Sequence, residues 1–202
     1  MLQQFLSNCP LLEFISLNEH QKAIDSVAGG NTFTFVNLLP CVPLIQVLNI
    51  REYYMKYLCI GGMPHKLPTS LAHLKDLVLD VCLVEQNEIS SALCLIRSSP
   101  VLERIVFQLP VRQTPANFLD PEGYPDLKLD HLEMLEMYNY SNLPLEMEFV
   151  KLIMAKSPVL KKVRIELNDN VSVDEELKML RDLVRLPFPW ASHSANLIFV
   201  RP

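Results

Sequence analysis

The chain has 202 residues, 50% of them hydrophobic and 20% charged, an ordinary balance for a folded protein that argues against disorder. Its 18 Lys and Arg against 23 Asp and Glu give a net charge of -5, so a broad footprint for phosphate backbones is absent and nucleic acid is not an expected partner. Five cysteines (Cys9, Cys41, Cys59, Cys82, Cys94) form an odd set without a CxxC pair or a metal-spaced histidine, and read as reduced, mostly buried thiols.

At the N-terminus no basic residue precedes Lys22 and Pro10 interrupts the apolar stretch, which does not fit a secretory signal. Apolar runs such as Ala92 to Ile96 break well before the roughly 18 residues that a membrane-spanning helix takes. The expectation is a soluble, intracellular protein of the cytoplasm or nucleus, with no membrane partner.

The first segment in the chain recurs. Phe5 to Leu17 (FLSNCPLLEFISL), Leu95 to Phe107 (LIRSSPVLERIVF) and Ile153 to Ile165 (IMAKSPVLKKVRI) share one plan: apolar pair, short polar stretch, Pro, apolar residue, Leu, then an alternating strand pattern. Extended along the chain, this register gives six segments of the form apolar-x-x-apolar-x-apolar, beginning at Leu12, Ile45, Leu74, Leu102, Leu132 and Leu160 at intervals of 33, 29, 28, 30 and 28 residues. Each predicts a short strand. Pro10, Pro43, Pro100 and Pro158 stand two residues before four of these anchors, where the ring forbids a helix to continue.

Helices are predicted over Ile89 to Arg97 and Glu148 to Lys156, each carrying an apolar stripe. A third follows Ser172 and Asp174 as caps, with Leu177, Leu180, Leu183 and Val184 as its apolar positions. Asn196 to Val200 reads as a last short strand belonging to an end piece that shields the final unit. Loose stretches are expected at Ala28 to Asn31, at Cys59 to Pro68, and at Leu109 to Asp130, which carries four Pro and one Gly and is the best subdomain boundary.

Units of this length match leucine-rich repeats, whose period is roughly 20 to 29 residues and whose strands line a horseshoe. The expected fold is therefore α/β, a leucine-rich-repeat solenoid arc of about six strand-helix units. No phosphate-binding glycine loop, nucleophile elbow or HExxH is present, and His20, His65, His73, His131 and His193 are scattered without i, i+4 pairing. No enzyme activity, cofactor or metal is expected.

What remains is the outward strand face: Phe14, Ser16, Asn18; Val47, Asn49, Arg51; Asp76, Val78, Asp80; Arg104, Val106, Gln108; Met134, Glu136, Tyr138; and Lys162, Arg164, Glu166. Its bases and acids balance among apolar and amide groups, which suits a protein or a small ligand better than a polyanion. The candidate partner-binding residues are those from Val47 to Arg164.

LPTSLAHLKDLVLDVC (Leu67 to Cys82), EISSALCLIRSSPVLERIVF, and LDHLEMLEMY with FVKLIMAKSPVLKKVRIELNDNVSVDEELKMLRDLVRLPFPWASHSANLIFVRP resemble the plant F-box/FBD/LRR-repeat proteins over essentially the whole chain. The stretch from about Leu129 is similar to the FBD domain, so the resemblance implies repeats over residues 1–128 and an FBD-like unit, including the C-terminal cap, over 129–202. It further implies the substrate-receptor part of an SCF-type ubiquitin ligase, in which an F-box docks on a Skp1-like adaptor while the repeats capture a protein target. No helical F-box precedes the first repeat, so the chain is expected to be the C-terminal portion of a longer protein. Without that F-box the alternative is a stand-alone or competitor interaction protein.

Overall fold

The computed structural model of the chain describes residues 6–18, 35–59, 63–83, 85–110, 126–141, 143–184, 192 and 195–201. Seven strands, β1 (Phe14–Leu17), β2 (Val47–Ile50), β3 (Asp76–Asp80), β4 (Arg104–Gln108), β5 (Met134–Tyr140), β6 (Lys162–Leu167) and β7 (Asn196–Val200), form one open sheet in chain order. Every neighbouring pair is parallel.

The repeat register of the sequence is also the register of the backbone. Each residue after a first anchor donates its N–H to its counterpart one unit back: Gln46 to Glu13 at 2.7 Å, Lys75 to Gln46 at 2.9 Å, Glu103 to Lys75 at 2.9 Å, Glu133 to Glu103 at 2.8 Å and Lys161 to Glu133 at 2.8 Å. The chain enters each of these strands through a turn in which the anchor N–H bonds the carbonyl three residues earlier: Leu12 to Cys9, Ile45 to Val42, Leu74 to Leu71, Leu102 to Ser99, Leu132 to Leu129 and Leu160 to Ser157, at 3.1 to 3.4 Å. Proline suits the second position of such a turn because its φ is already set. The turn also forms over Ala72 and Asp130, so proline favours it without being required.

Besides the helical residues Leu6 and Ser7, five helices lie among the described residues: α1 (Phe35–Leu38), continued by a 3-10 turn over Leu39–Cys41, α2 (Glu52–Leu58), α3 (Gln86–Arg97), α4 (Pro144–Ala155) and α5 (Val173–Val184). α3 and α4 start three and four residues earlier than their apolar stripes predict. Pro144 sits in the first turn of α4, where a missing N–H is harmless, and Glu146 accepts the N–H groups of Ser141 and Leu143 at 2.9 and 3.1 Å. Glu88 does comparable work before α3, accepting the Cys82 N–H at 2.7 Å. Where the helices run out toward proline, Ser99 and Ser157 donate their hydroxyls back to Leu95 and Ile153 at 2.7 and 2.6 Å.

The inward strand residues and the apolar faces of α3 and α4 make one contiguous core, in which Phe107 and Phe149 meet edge to face at 5.0 Å. Among the described side chains of α5, Met179 is fully buried and Leu177 is 47% exposed. β7 is the last short strand expected at Asn196 to Val200, and it pairs in register with β6 as a seventh rung, with Leu197 opposite Val163 and Phe199 opposite Ile165. Its backbone thus extends the ladder instead of closing it.

Ala28 to Asn31, most of Leu109 to Asp130, and the break after α5 lie outside the described residues. Among those described, no helix is long and apolar enough to cross a membrane. Cys59, Cys82 and Cys94 are buried and outside any disulfide, while Cys9 and Cys41 are half-buried.

Candidate functional site: the open strand face

Parallel pairing in register stacks the outward side chains into rows across the sheet. Phe14, Val47, Asp76, Arg104, Met134, Lys162 and Asn196 make one row. Ser16, Asn49, Val78, Val106, Glu136, Arg164 and Ile198 make the next. A shorter row at the strand ends holds Asp80, Gln108 and Tyr138, with Arg51 just past β2.

Polar contacts join these rows into two clusters. In the larger, the Arg104 Nε donates to Glu136 Oε1 at 2.9 Å while its Nη1 lies 3.5 Å from Asp76 Oδ1. The Tyr138 hydroxyl donates to Glu136 Oε2 at 2.7 Å. The Arg164 guanidinium stands 5.0 Å from the centre of the Tyr138 ring and donates to Glu166 at 2.8 Å. In the smaller, Arg51 Nη1 donates to Asp80 Oδ1 at 3.2 Å and Gln108 Oε1 at 2.7 Å, and the Glu52 N–H donates to Asp80 Oδ2 at 3.1 Å. Ser16 bonds Asn18 near the β1 edge, apart from both clusters.

The two carboxylates at the cluster centres are pushed in opposite directions. Burial raises the Glu136 pKa, but the hydrogen bonds from Tyr138 and Arg104 and the nearby guanidinium charges outweigh it, so the carboxyl sits below the usual glutamate range. For Asp80, burial prevails over the Glu52 N–H and Arg51, and its pKa is raised. Tyr138 is also raised, by burial and then by its bond to Glu136.

Val106 and Glu136 are only 4% and 7% exposed, so the centre of the face is less open than strand alternation predicts. Val106 stands between Arg104 and Gln108 along its strand and between Val78 and Glu136 across it, while Glu136 is enclosed by the groups that bond it. Phe14, by contrast, is 57% exposed at the β1 edge.

A cavity of about 350 Å³ opens at the carboxyl ends of β3, β4 and β5, lined by Glu52, Asp80, Cys82, Gln108, Leu109, Pro110 and Asn139. Only Asp80 and Gln108 belong to the sequence-predicted face. Asn139 enters because the β5–β6 register shifts between Met137 and Tyr140, and its backbone takes φ 58°, a left-handed conformation that asparagine tolerates better than most residues. The sequence signal for it is the Asn itself, near the end of an otherwise regular strand pattern. Among the described residues, no group of three or more His, Cys, Asp and Glu side chains could hold a metal ion.

The FBD family model matches residues 121–165, which include β5, α4 and the outward residues Met134, Glu136, Tyr138, Lys162 and Arg164. The chain is 32% identical over 209 residues to an F-box/FBD/LRR-repeat protein of Arabidopsis thaliana, in a match that covers 98% of this chain and 48% of that protein. It thus spans about half the length of the curated relative it matches. No solved structure matches the chain.

Proposed function

The chain belongs to the plant F-box/FBD/LRR-repeat family, and from that premise we propose that it is a leucine-rich-repeat arc that captures a protein target on its open strand face and does no bond chemistry itself. A parallel ladder of short strands, one per unit of about 30 residues, supports the arc, because stacked units share one core and bend toward the strand side. The polar chain from Asp76 through Arg104, Glu136, Tyr138 and Arg164 to Glu166 is the observation that carries the capture role. It presents Arg and Tyr, residue types that dominate binding energy at protein interfaces, in a preset geometry beside Val78 and Met134. Because its cations are already matched by acids, the face favours a mixed polypeptide surface over a polyanion.

In this reading the chain is the substrate-recognition part of an SCF-type ubiquitin ligase receptor, working inside the cell, and a Skp1-like adaptor is engaged through an F-box. The test compares proteins captured by the wild-type chain, by the double variant M134A/R164A, and by the helix-side variant K151A. Targets are expected to be lost from the double variant and kept by K151A; identical capture by all three would overturn the face as the binding surface. An F-box fused ahead of the chain is expected to shorten the half-life of a captured target, and an unchanged half-life would count against the ligase role.

A further inference from the structure

We infer that the cavity at the carboxyl ends of β3, β4 and β5 is a socket for one cationic side chain, an arginine or lysine, projecting from the captured protein. The inference rests on the strand face being a capture surface and names the chemistry that one part of it selects. Lysine and arginine side chains join an apolar stem to a charged head, and the cavity is divided the same way. Leu109, Pro110 and Cys82 supply an apolar wall, while the Glu52 and Asp80 carboxylates and the Gln108 and Asn139 amides supply the polar end. Among the described residues, no Lys, Arg or His is in the lining.

Hydrogen-bond capacity points the same way. A carboxylate accepts roughly four hydrogen bonds, and Asp80 receives two, from Arg51 and the Glu52 N–H. Those two donors offset its desolvation only in part, and burial keeps its pKa raised. Arg51 approaches from the strand face and spends one nitrogen on both Asp80 and Gln108; Lys56 pairs with Glu52 from one turn further along α2. Among the described residues, neither of the cations that pair with these carboxylates, Arg51 and Lys56, is itself in the lining. A volume of about 350 Å³ takes one long side chain and excludes a folded element. The register shift in β5 turns the exposed Asn139 toward this opening, a re-aiming that bulges commonly provide beside binding sites.

The probes are N-acetyl-arginine methylamide and its neutral isostere N-acetyl-citrulline methylamide, titrated into the full 202-residue chain while the side-chain amides of Gln108 and Asn139 are followed by NMR. The arginine compound is expected to give saturable shifts, with citrulline binding about tenfold more weakly because it lacks the charge. Asp80→Asn should bring arginine binding down to the citrulline level, and Glu52→Gln should weaken it by about threefold, its carboxylate being the more solvated of the two. Equal midpoints for the two probes, or arginine binding unchanged by Asp80→Asn, would overturn the socket. Should Asp80→Asn lose its amide dispersion, Glu52→Gln decides alone, and an unchanged midpoint there overturns it equally. Such a failure leaves target capture by Met134 and Arg164 standing, since those residues lie outside the cavity and are read by the capture comparison above.

Discussion

In β3 to β6 the inward pairs Leu77 and Leu79, Ile105 and Phe107, Leu135 and Met137, and Val163 and Ile165 are all 0% exposed, whereas Ile15 and Leu17 in β1 retain 5% and 8%. Leu197 and Phe199 in β7 are only partly buried. All these residues hold the same positions in the same unit, so side-chain identity does not set the difference. Neighbours do: a middle strand is covered from both sides along the stack and an end strand from one. Leu11 and Phe14, 77% and 57% exposed beside β1, are on the same flank.

The largest expected effect tests that asymmetry directly. Leu77→Asp, which buries a charge between two neighbouring units, should abolish cooperative unfolding, and Leu135→Ala should cost about 2–5 kcal/mol. Leu17→Ala should cost less than Leu135→Ala, because the space it leaves lies next to solvent and relaxes more easily. Urea titration followed by circular dichroism measures all three. A Leu17→Ala loss equal to that of Leu135→Ala would mean the end strand is held as firmly as the middle.

A smaller effect separates the two faces of the middle strands by their response to pH. Glu136, on the open face, has a folded pKa below the ordinary value, so its contribution is present above the usual glutamate range and is lost as pH falls through the lowered value. Glu88, on the helix side and 3% exposed, is raised, chiefly by burial with the Cys82 N–H opposing, so its contribution is present at low pH and is lost as pH rises through the raised value. Glu136→Gln should cost about 1–3 kcal/mol at neutral pH by leaving Arg104 and Tyr138 without their carboxylate, and should lose that penalty on acidification. Glu88→Gln keeps an acceptor for Cys82 and removes the charge, so its stability relative to wild type should rise with pH. Denaturation at several pH values checks both, and slopes of the same sign for the two variants would contradict the opposed shifts.

Strand positions were legible because alternation and a conserved spacing act locally: the anchors from Leu12 to Leu160 stand where the backbone ladder has them. The seventh strand was legible at Asn196 to Val200, though not as another copy of the repeat, because the spacing after Leu160 lengthens. α2 was not foreseen because Glu52 to Leu58 follows β2 without a separate turn or capping signal. For the face, alternation gave the rows but not their depth; Val106 and Glu136 are covered by partners that only strand pairing brings near. Nor could local pattern assemble Glu52, Pro110 and Asn139, which come from three different units and meet only through the stacking and the β5 register shift.

The smallest predicted effect concerns the last rung. Arg201, just past β7, donates its Nε to Glu176 of α5 at 2.7 Å, a tie between the final strand and the helix preceding it. Both groups face solvent, so Arg201→Ala should cost no more than about 1 kcal/mol and the loss should shrink as salt is added. The same change should nevertheless speed hydrogen exchange at Leu197 and Phe199, because among the described residues β7 pairs on one side only and opens without disturbing the middle. Amides of β4 should keep their protection. If they lose it together with β7, the sheet opens as a single cooperative unit, and the partial burial of its last rung would not translate into a softer end.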